Sequence, residues 1–123
     1  MPDIKIKKEL IETLLALGKC QHPDEFLALL KINNGVIDEF EIAPGTVSGR
    51  TSARFSPHML PLSTNNAGSA HSHPSGALRP SDADLRFFPA SGKWHIIVGP
   101  PYDLSGWRCF RADGKMINPE VVP

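Results

Sequence analysis

The most constraining feature of this sequence is a His-Ser-His-Pro run that begins at His71 and continues as H-x-H-x7-S-x-x-D to Ser81 and Asp84. In an extended segment, residues i and i+2 project to the same face, so His71 and His73 can point at one ion together. Asp84 can add a third ligand from a different element. Two histidines and one carboxylate with an open fourth position are typical of a catalytic zinc centre, whereas structural zinc sites are closed.

Length and composition indicate one ordinary globular domain. A chain of 123 residues lies in the usual size range of a single domain, and 41% hydrophobic with 21% charged residues is typical of globular proteins. Basic and acidic side chains balance at 13 each, so no net charge attracts nucleic acid or anionic lipid. No stretch approaches the roughly 20 apolar residues that span a bilayer, and no apolar secretory signal opens the chain. We expect one domain over residues 1–123, located in the cytoplasm, with no nucleic-acid or membrane partner.

The two cysteines, Cys20 and Cys109, are far apart and form no C-x-x-C pattern. They therefore provide neither a disulfide framework nor a cysteine-rich zinc site. We expect both to be reduced, although the sequence alone does not decide against a bridge between them.

Hydrophobic periodicity predicts an α/β domain with a central mixed sheet, a long N-terminal helix and a short helix beside the histidine motif. Apolar side chains at helical spacing predict a helix over residues 5–20 that stops near Gly18, and a second helix is predicted over 81–88, ended by Pro89. Strands are predicted over 26–32, 36–42, 51–55, 68–73, 93–98, 107–111 and 116–122. The run Asn33-Asn34-Gly35 predicts a hairpin turn, and Asp113-Gly114 predicts a type I′ hairpin turn.

Ser81 and Asp84 also suit a purely structural role. A serine at the N-cap with an acidic residue at N3 forms a capping box, and a carboxylate near a helix start favours the helix dipole. The two roles are compatible, because Ser81 can cap the helix and still direct its hydroxyl at a metal site. Pro74 and Pro80 stiffen the loop between the histidines and this helix.

A hydrolytic metal site also needs a group that carries protons without binding the ion. Glu25 is the candidate, because it stands at the start of an apolar predicted strand. Asp24 is the neighbouring rival, but on a strand it would point to the opposite face.

Together these motifs resemble the JAB1/MPN/Mov34 metalloenzyme (JAMM, or MPN+) family, and especially its small single-domain archaeal and bacterial members. The family pattern is a glutamate in an early P-x-E context followed by H-[ST]-H-P-x6-S-x-x-D, and this chain supplies both parts. The resemblance implies one zinc ion held by His71, His73 and Asp84. It also implies that Glu25 is the general base and that the hydroxyl of Ser81 stabilises the oxyanion.

The same resemblance implies hydrolysis of an amide or isopeptide bond at the C-terminus of a ubiquitin-like protein, with that protein or its conjugates as the partner. Ala28 stands where the family often has glycine, and the chain lacks the long insertions with which larger eukaryotic deubiquitinases grip ubiquitin. The identity of the modifier therefore stays open, as does the choice between a monomer and a homodimer. We expect the substrate tail to add a strand to an exposed sheet edge, for which residues 51–55 are the candidate.

Three other functions compete with this interpretation. Some relatives in this family keep the fold as non-catalytic binding scaffolds, but all five motif residues are present here. The DNA-associated RadC family has a run that resembles residues 71–76, but neutral charge and the lack of an added DNA-binding domain oppose this reading. A zinc nucleobase deaminase would need an H-x-E paired with a P-C-x-x-C, which the sequence lacks.

We expect the remaining histidines and both tryptophans to have structural roles and to take no part in the chemistry. His95 lies in a strand of core character and is expected to be a packed core histidine. His22 and His58 are flanked by prolines and are expected in loops, while Trp94 and Trp107 are expected to be packing anchors.

Overall fold

Eight strands form one mixed sheet in the computed structural model, which describes residues 4–42 and 66–123. The order along the sheet is β7-β6-β5-β4-β2-β3-β1-β8. The elements are β1 (Lys5–Lys7), α1 (Lys8–Gln21), β2 (Leu27–Asn33), β3 (Val36–Ile42), β4 (Asn66–Ser72), α2 (Asp82–Ser91), β5 (Trp94–Val98), β6 (Trp107–Arg111), β7 (Met116–Ile117) and β8 (Glu120–Val122). The predicted α/β class with a mixed sheet, a long first helix and a short second helix is confirmed.

The sheet is curled so strongly that its two edges approach each other. Strands β7 and β8 lie at opposite edges, yet only residues 118–119 separate them in the chain. Three peptide steps span at most about 11 Å, so the end of β7 and the start of β8 lie within that distance of each other. The predicted single strand over 116–122 is therefore wrong, because its two halves pair with different partners, β6 and β1.

Helix α1 packs its apolar stripe against the sheet. Buried residues recur at helical spacing along the stripe, and they join the sheet residues in one core. Burial of each such leucine or isoleucine contributes about 1.5–3 kcal/mol to stability. The stripe consists of Leu10, Ile11, Leu14 and Leu15.

The predicted start of this helix is wrong, because Lys5–Lys7 is the strand β1. Ile6 is fully buried there, and the strand pairs in parallel with both β3 and β8. Those partners are distant in sequence, so local periodicity did not reveal the pairing.

Helix α2 continues beyond Pro89, which was predicted to end it. The helix runs to Ser91, whose hydroxyl donates to the carbonyl oxygens of Phe87 (3.3 Å) and Phe88 (3.2 Å). Phe88 is fully buried, and this packing keeps the last turn helical in spite of the proline.

One of the two predicted hairpin turns has a different geometry. Asn34 (φ 53°) and Gly35 (φ 78°) form the predicted hairpin turn between β2 and β3, with the two positive φ values of a type I′ turn. In the second hairpin only Gly114 has a positive φ (87°), its N–H donates to Arg111 O (2.9 Å), and Arg111 N–H donates to Lys115 O (2.9 Å). This is a type I turn followed by a glycine bulge.

The predictions for the two cysteines and the two tryptophans are confirmed. Cys20 is exposed, Cys109 is buried, and both are free thiols. Trp94 and Trp107 pack against the main core. No helix in the described parts of the chain is long and apolar enough to cross a membrane. The candidate edge strand at 51–55 and His58 lie outside the described residues.

Strand β4 occupies the middle of the sheet, antiparallel to β2 and parallel to β5. Its Gly68 pairs with Trp94 at such close range that an added Cβ would lie 1.6 Å from the Trp94 carbonyl oxygen. Gly68 therefore permits the close contact between β4 and β5, and this contact positions the end of β4.

We expect Gly68→Ala to lower the free energy of unfolding by more than about 4 kcal/mol, because the methyl group collides with backbone that has to move. Gly35→Ala is the control: it also has a positive φ, but its Cβ would meet nothing within 4 Å. That variant should lose only about 1–2 kcal/mol of unfolding free energy, which is the cost of placing a non-glycine residue in the left-handed conformation. Urea unfolding measures both, and equal losses would contradict the steric argument.

Candidate metal centre

Three metal-binding side chains converge where β4 ends and α2 begins. The His71 and His73 Nε2 atoms are 3.1 Å apart. Asp84 Oδ1 lies 3.1 Å from His71 Nε2, and Asp84 Oδ2 lies 3.2 Å from His73 Nε2. A tetrahedral zinc ion with bonds of about 2.0–2.1 Å spaces its ligand atoms about 3.3 Å apart. The three side chains thus have the spacing that one such ion requires.

The ring of His73 is oriented by the loop that follows it. Its Nδ1 lies 2.7 Å from the carbonyl oxygen of Ala77. Because a carbonyl only accepts, Nδ1 carries the proton, and the neutral ring presents the Nε2 lone pair to the cluster. His71 Nδ1 is buried and has no hydrogen-bond partner among the described residues, and its ring lies 6.2 Å from that of Phe88.

The electrostatics of the cluster favour a bound positive charge. Burial by itself would raise the pKa of Asp84, but its hydrogen bonds with His71 and His73 outweigh burial and hold that pKa well below its usual range. Burial would lower the pKa of His73, but its bonds to Asp84 and Ala77 and the charges of Asp84 and Glu25 raise it. The carboxylate is therefore ionised and attracts either a proton on His73 or a cation.

Ser81 and Asp84 form the predicted capping box at the start of α2. The Asp84 N–H donates to Ser81 Oγ (3.2 Å), and the Ser81 N–H donates to Asp84 Oδ2 (2.8 Å). The reciprocal bonds fix the carboxylate on the first helical turn. The Ser81 hydroxyl accepts in this motif, so its own hydrogen is available to a further acceptor, and the residue is exposed beside the cluster.

Glu25 lies in the linker between α1 and β2, on the histidine side of the sheet. Leu27 pairs with His71, and Ser72 N–H donates to Phe26 O (3.4 Å). Continued by two residues, this antiparallel register brings Glu25 opposite His73 on the same face. The negative charge of Glu25 contributes to the raised pKa of His73, which agrees with that placement.

His95 is the core histidine that the sequence predicted. It is fully buried, its Nε2–H donates to Gly92 O (2.9 Å), and its Nδ1 accepts from the Ser69 hydroxyl (2.7 Å). Burial lowers the pKa of His95 to about 4, so the ring is neutral. Its ring stacks on Phe88 at 3.9 Å between centroids, and Phe88 in turn contacts His71.

Two parts of the site were missed in the sequence. The Ala77 carbonyl is a backbone group, so no residue type marked it. Phe88 was predicted only as part of a helix, and its position under His71 depends on how α2 crosses the sheet.

Comparisons with known proteins agree with this geometry. The family model described as prokaryotic homologues of the JAB domain matches residues 7–113. A relative from Haloferax volcanii, described as a probable metalloprotease, is 35% identical over 129 residues, which cover 97% of this chain and 80% of the relative.

Two solved structures are similar over nearly the whole chain. A JAB1/MPN domain protein from Archaeoglobus fulgidus is 41% identical, with 98% of this chain and 100% of the other covered and a TM-score of 0.81. A structure described as JAMM, a metalloprotease-like zinc site in the proteasome and signalosome, is 38% identical, with 98% of each chain covered and a TM-score of 0.77. The matched family model, the relatives and the His-His-Asp cluster lead to one conclusion: this chain belongs to the JAB1/MPN (JAMM) family, among its prokaryotic homologues.

Proposed function

We propose that the protein is a zinc-dependent isopeptidase or protease that hydrolyses amide or isopeptide bonds at the C-terminus of ubiquitin-like proteins. The observation that carries the proposal is the triangle of His71, His73 and Asp84, whose donor atoms are 3.1–3.2 Å apart. The Haloferax volcanii relative described as a probable metalloprotease supports this chemistry. The relative described by a zinc site in the proteasome and signalosome supports a substrate among ubiquitin-like conjugates.

The donor set fits zinc better than a hard cation. Two imidazole nitrogens and one carboxylate oxygen are ordinary zinc ligands, whereas calcium and magnesium prefer all-oxygen sites. Three protein ligands leave one coordination position for water or substrate. When bound, zinc supplies Lewis acidity, polarising a carbonyl and lowering the pKa of a coordinated water towards about 7.

Glu25 is assigned the proton transfers. Water adds across the scissile amide: a C–O bond forms at the carbonyl carbon, the C–N bond breaks, and Glu25 carries a proton from the water to the leaving nitrogen. Its location opposite His73 supports this role. In an isopeptide substrate the leaving group is a lysine amine.

Ser81 is assigned to the oxyanion that develops on the carbonyl. Its hydroxyl accepts from Asp84 N–H, so its hydrogen is directed elsewhere and can be donated to that oxygen. The capping box and the Ala77 carbonyl keep Asp84 and His73 in place while this happens.

The substrate and the setting complete the proposal. The partner is a ubiquitin-like protein or its conjugates, and neither nucleic acid nor a membrane takes part. The two free thiols support a reducing compartment such as the cytoplasm. The protein acts as a monomer or a homodimer.

Protein purified without added metal is expected to contain zinc, and Asp84→Asn to lose it. Loss of even an outer-shell partner weakens metal binding by about 10–100-fold, so loss of this direct ligand should weaken zinc affinity by at least about 100-fold. Asp82→Asn is the matched control, because Asp82 is the other acidic residue in the first turn of α2. Elemental analysis and the zinc-dependent rise in Tm measure the effect. Equal zinc content in the two variants would contradict the ligand assignment, and zinc-free wild type would favour a binding scaffold.

Glu25→Gln is expected to keep zinc and to lose cleavage by about 10²–10⁴-fold, because the amide cannot accept the proton. Asp24→Asn is the control, because it changes the adjacent acidic residue, and it should retain activity. Cleavage of the host's ubiquitin-like conjugates is measured with and without a chelator. Full activity of Glu25→Gln, or loss of its zinc, would refute the assignment.

Two substitutions at Ser81 separate its two roles. Ser81→Ala should cost about 1 kcal/mol of stability through the lost cap, whereas Ser81→Gly should cost only a few tenths, since glycine is tolerated at N-caps. Both should lower kcat by about 10²-fold, because both remove the oxyanion donor. Thermal unfolding and kcat are measured together, and a kcat that follows stability would show that the hydroxyl acts only as a cap.

A further inference from the structure

We propose that Ser72 and Tyr102 are positioning residues that anchor the linker of residues 22–26 at its two ends and so hold the Glu25 carboxylate beside His73. The inference rests on the proposed role of Glu25 and assigns two further residues to it.

The linker needs such anchors because it is neither helix nor strand. Helix α1 ends at Gln21 and β2 begins at Leu27. The His22 N–H donates to Gly18 O (2.9 Å) and the Asp24 N–H to Gln21 O (2.8 Å), which ties the start of the linker to α1 but not to the histidine strand. A general base must lie within hydrogen-bond reach of its proton, and a misplacement of about 1 Å can cost about 10²-fold in rate.

Ser72 fastens the end of the linker. It is fully buried, and as the residue between His71 and His73 it projects to the opposite face of β4, away from the metal cluster. Its Oγ accepts from the Phe26 N–H at 3.1 Å, while its own N–H donates to Phe26 O at the longer distance of 3.4 Å. The hydroxyl therefore makes the shorter of the two bonds to the residue immediately after Glu25.

Tyr102 fastens the beginning of the linker. Its hydroxyl lies 2.6 Å from His22 Nδ1, and the two rings meet edge to face at 5.5 Å between centroids. The Tyr102 ring lies against α1 at Gly18, where an added Cβ would come within 2.8 Å of it. Tyr102 has a positive φ of 60°, which is uncommon outside glycine, and its N–H donates to Gly99 O (2.9 Å).

The loop that carries Tyr102 also contacts the histidine segment. A Cβ added to Gly99 would lie 2.9 Å from the His73 carbonyl oxygen, so the loop starts against His73. His22 is thus joined through Tyr102 to the backbone that bears one of the proposed metal ligands. The anchors bracket Glu25, one three residues before it at His22 and one directly after it at Phe26.

The experiment compares Ser72→Ala, Ser72→Thr and Tyr102→Phe with wild type, all loaded with zinc. Zinc content, kcat and KM on the host's ubiquitin-like conjugates, and hydrogen exchange of the Phe26 amide are measured. We expect wild-type zinc and KM in every variant, but a kcat lower by about 10-fold or more in Ser72→Ala and Tyr102→Phe. The Phe26 amide should exchange faster in Ser72→Ala, and Ser72→Thr should restore both kcat and protection because it keeps the hydroxyl.

Ser91→Ala is the control for a lost buried hydroxyl, since Ser91 is also buried but its hydroxyl bonds, among the described residues, to carbonyl oxygens of its own helix α2. It should leave kcat and Phe26 exchange unchanged even if Tm falls as far as in Ser72→Ala. Tyr102→Phe removes only a hydroxyl and keeps the aromatic ring, and Tyr102 is partly exposed. This variant therefore tests the proposed anchoring even if Ser72→Ala does not fold.

The outcomes separate this inference from the proposed function. Wild-type kcat and Phe26 exchange in Ser72→Ala and Tyr102→Phe, with an inactive Glu25→Gln, would overturn the anchors and leave the proposed function standing. Loss of zinc in Ser72→Ala would also overturn them, because the residue would then serve the metal cluster. An active Glu25→Gln would instead overturn the proposed function; faster Phe26 exchange would then still support the anchor at Ser72, and unchanged exchange would overturn it.

Discussion

The pairing of β4 between β2 and β5 is the constraint on which the rest of the site depends. Backbone hydrogen bonds to two neighbours, one antiparallel and one parallel, leave β4 a single register. That register sets the face on which His71 projects and puts the linker from β2 alongside the end of β4. A slip of one residue would turn both histidines into the apolar core, so metal binding and folding depend on the same ladder.

The alternation of side chains along β4 divides the sheet into two unlike faces. Ala70 and Ser72 point towards the α1 side, whereas Ser69 and His71 point towards α2. On the α2 side a neutral His95 and the ring of Phe88 form an uncharged support for His71. In such surroundings the ionised Asp84 interacts more strongly with a cation than it would in water, because the local dielectric constant is lower.

Sequence reasoning succeeded where the chemistry is local. The i, i+2 spacing of His71 and His73, the capping box of Ser81 and Asp84, and the turn at Asn34-Gly35 each depend on a few adjacent residues. It failed where a distant partner decides the outcome. Lys5–Lys7 is a strand because β3 and β8 flank it, and residues 116–122 divide because the curled sheet brings β1 beside β8.

Glu25 belongs to neither group, because its identity as a candidate came from a motif and its location from the β2–β4 register. Ser72 connects the motif to the register, because it lies between the two motif histidines and bonds to the residue that follows Glu25. The triplet from His71 to His73 directs alternate side chains to opposite faces, two towards the cluster and one towards the Phe26 N–H. An apolar residue between the histidines would remove the hydroxyl that accepts from the Phe26 N–H, and the 3.4 Å bond from the Ser72 N–H to Phe26 O would not replace it. An unsatisfied buried donor costs about 1–3 kcal/mol. A small hydroxyl residue at this position therefore couples the metal-binding strand to the segment that carries the acid.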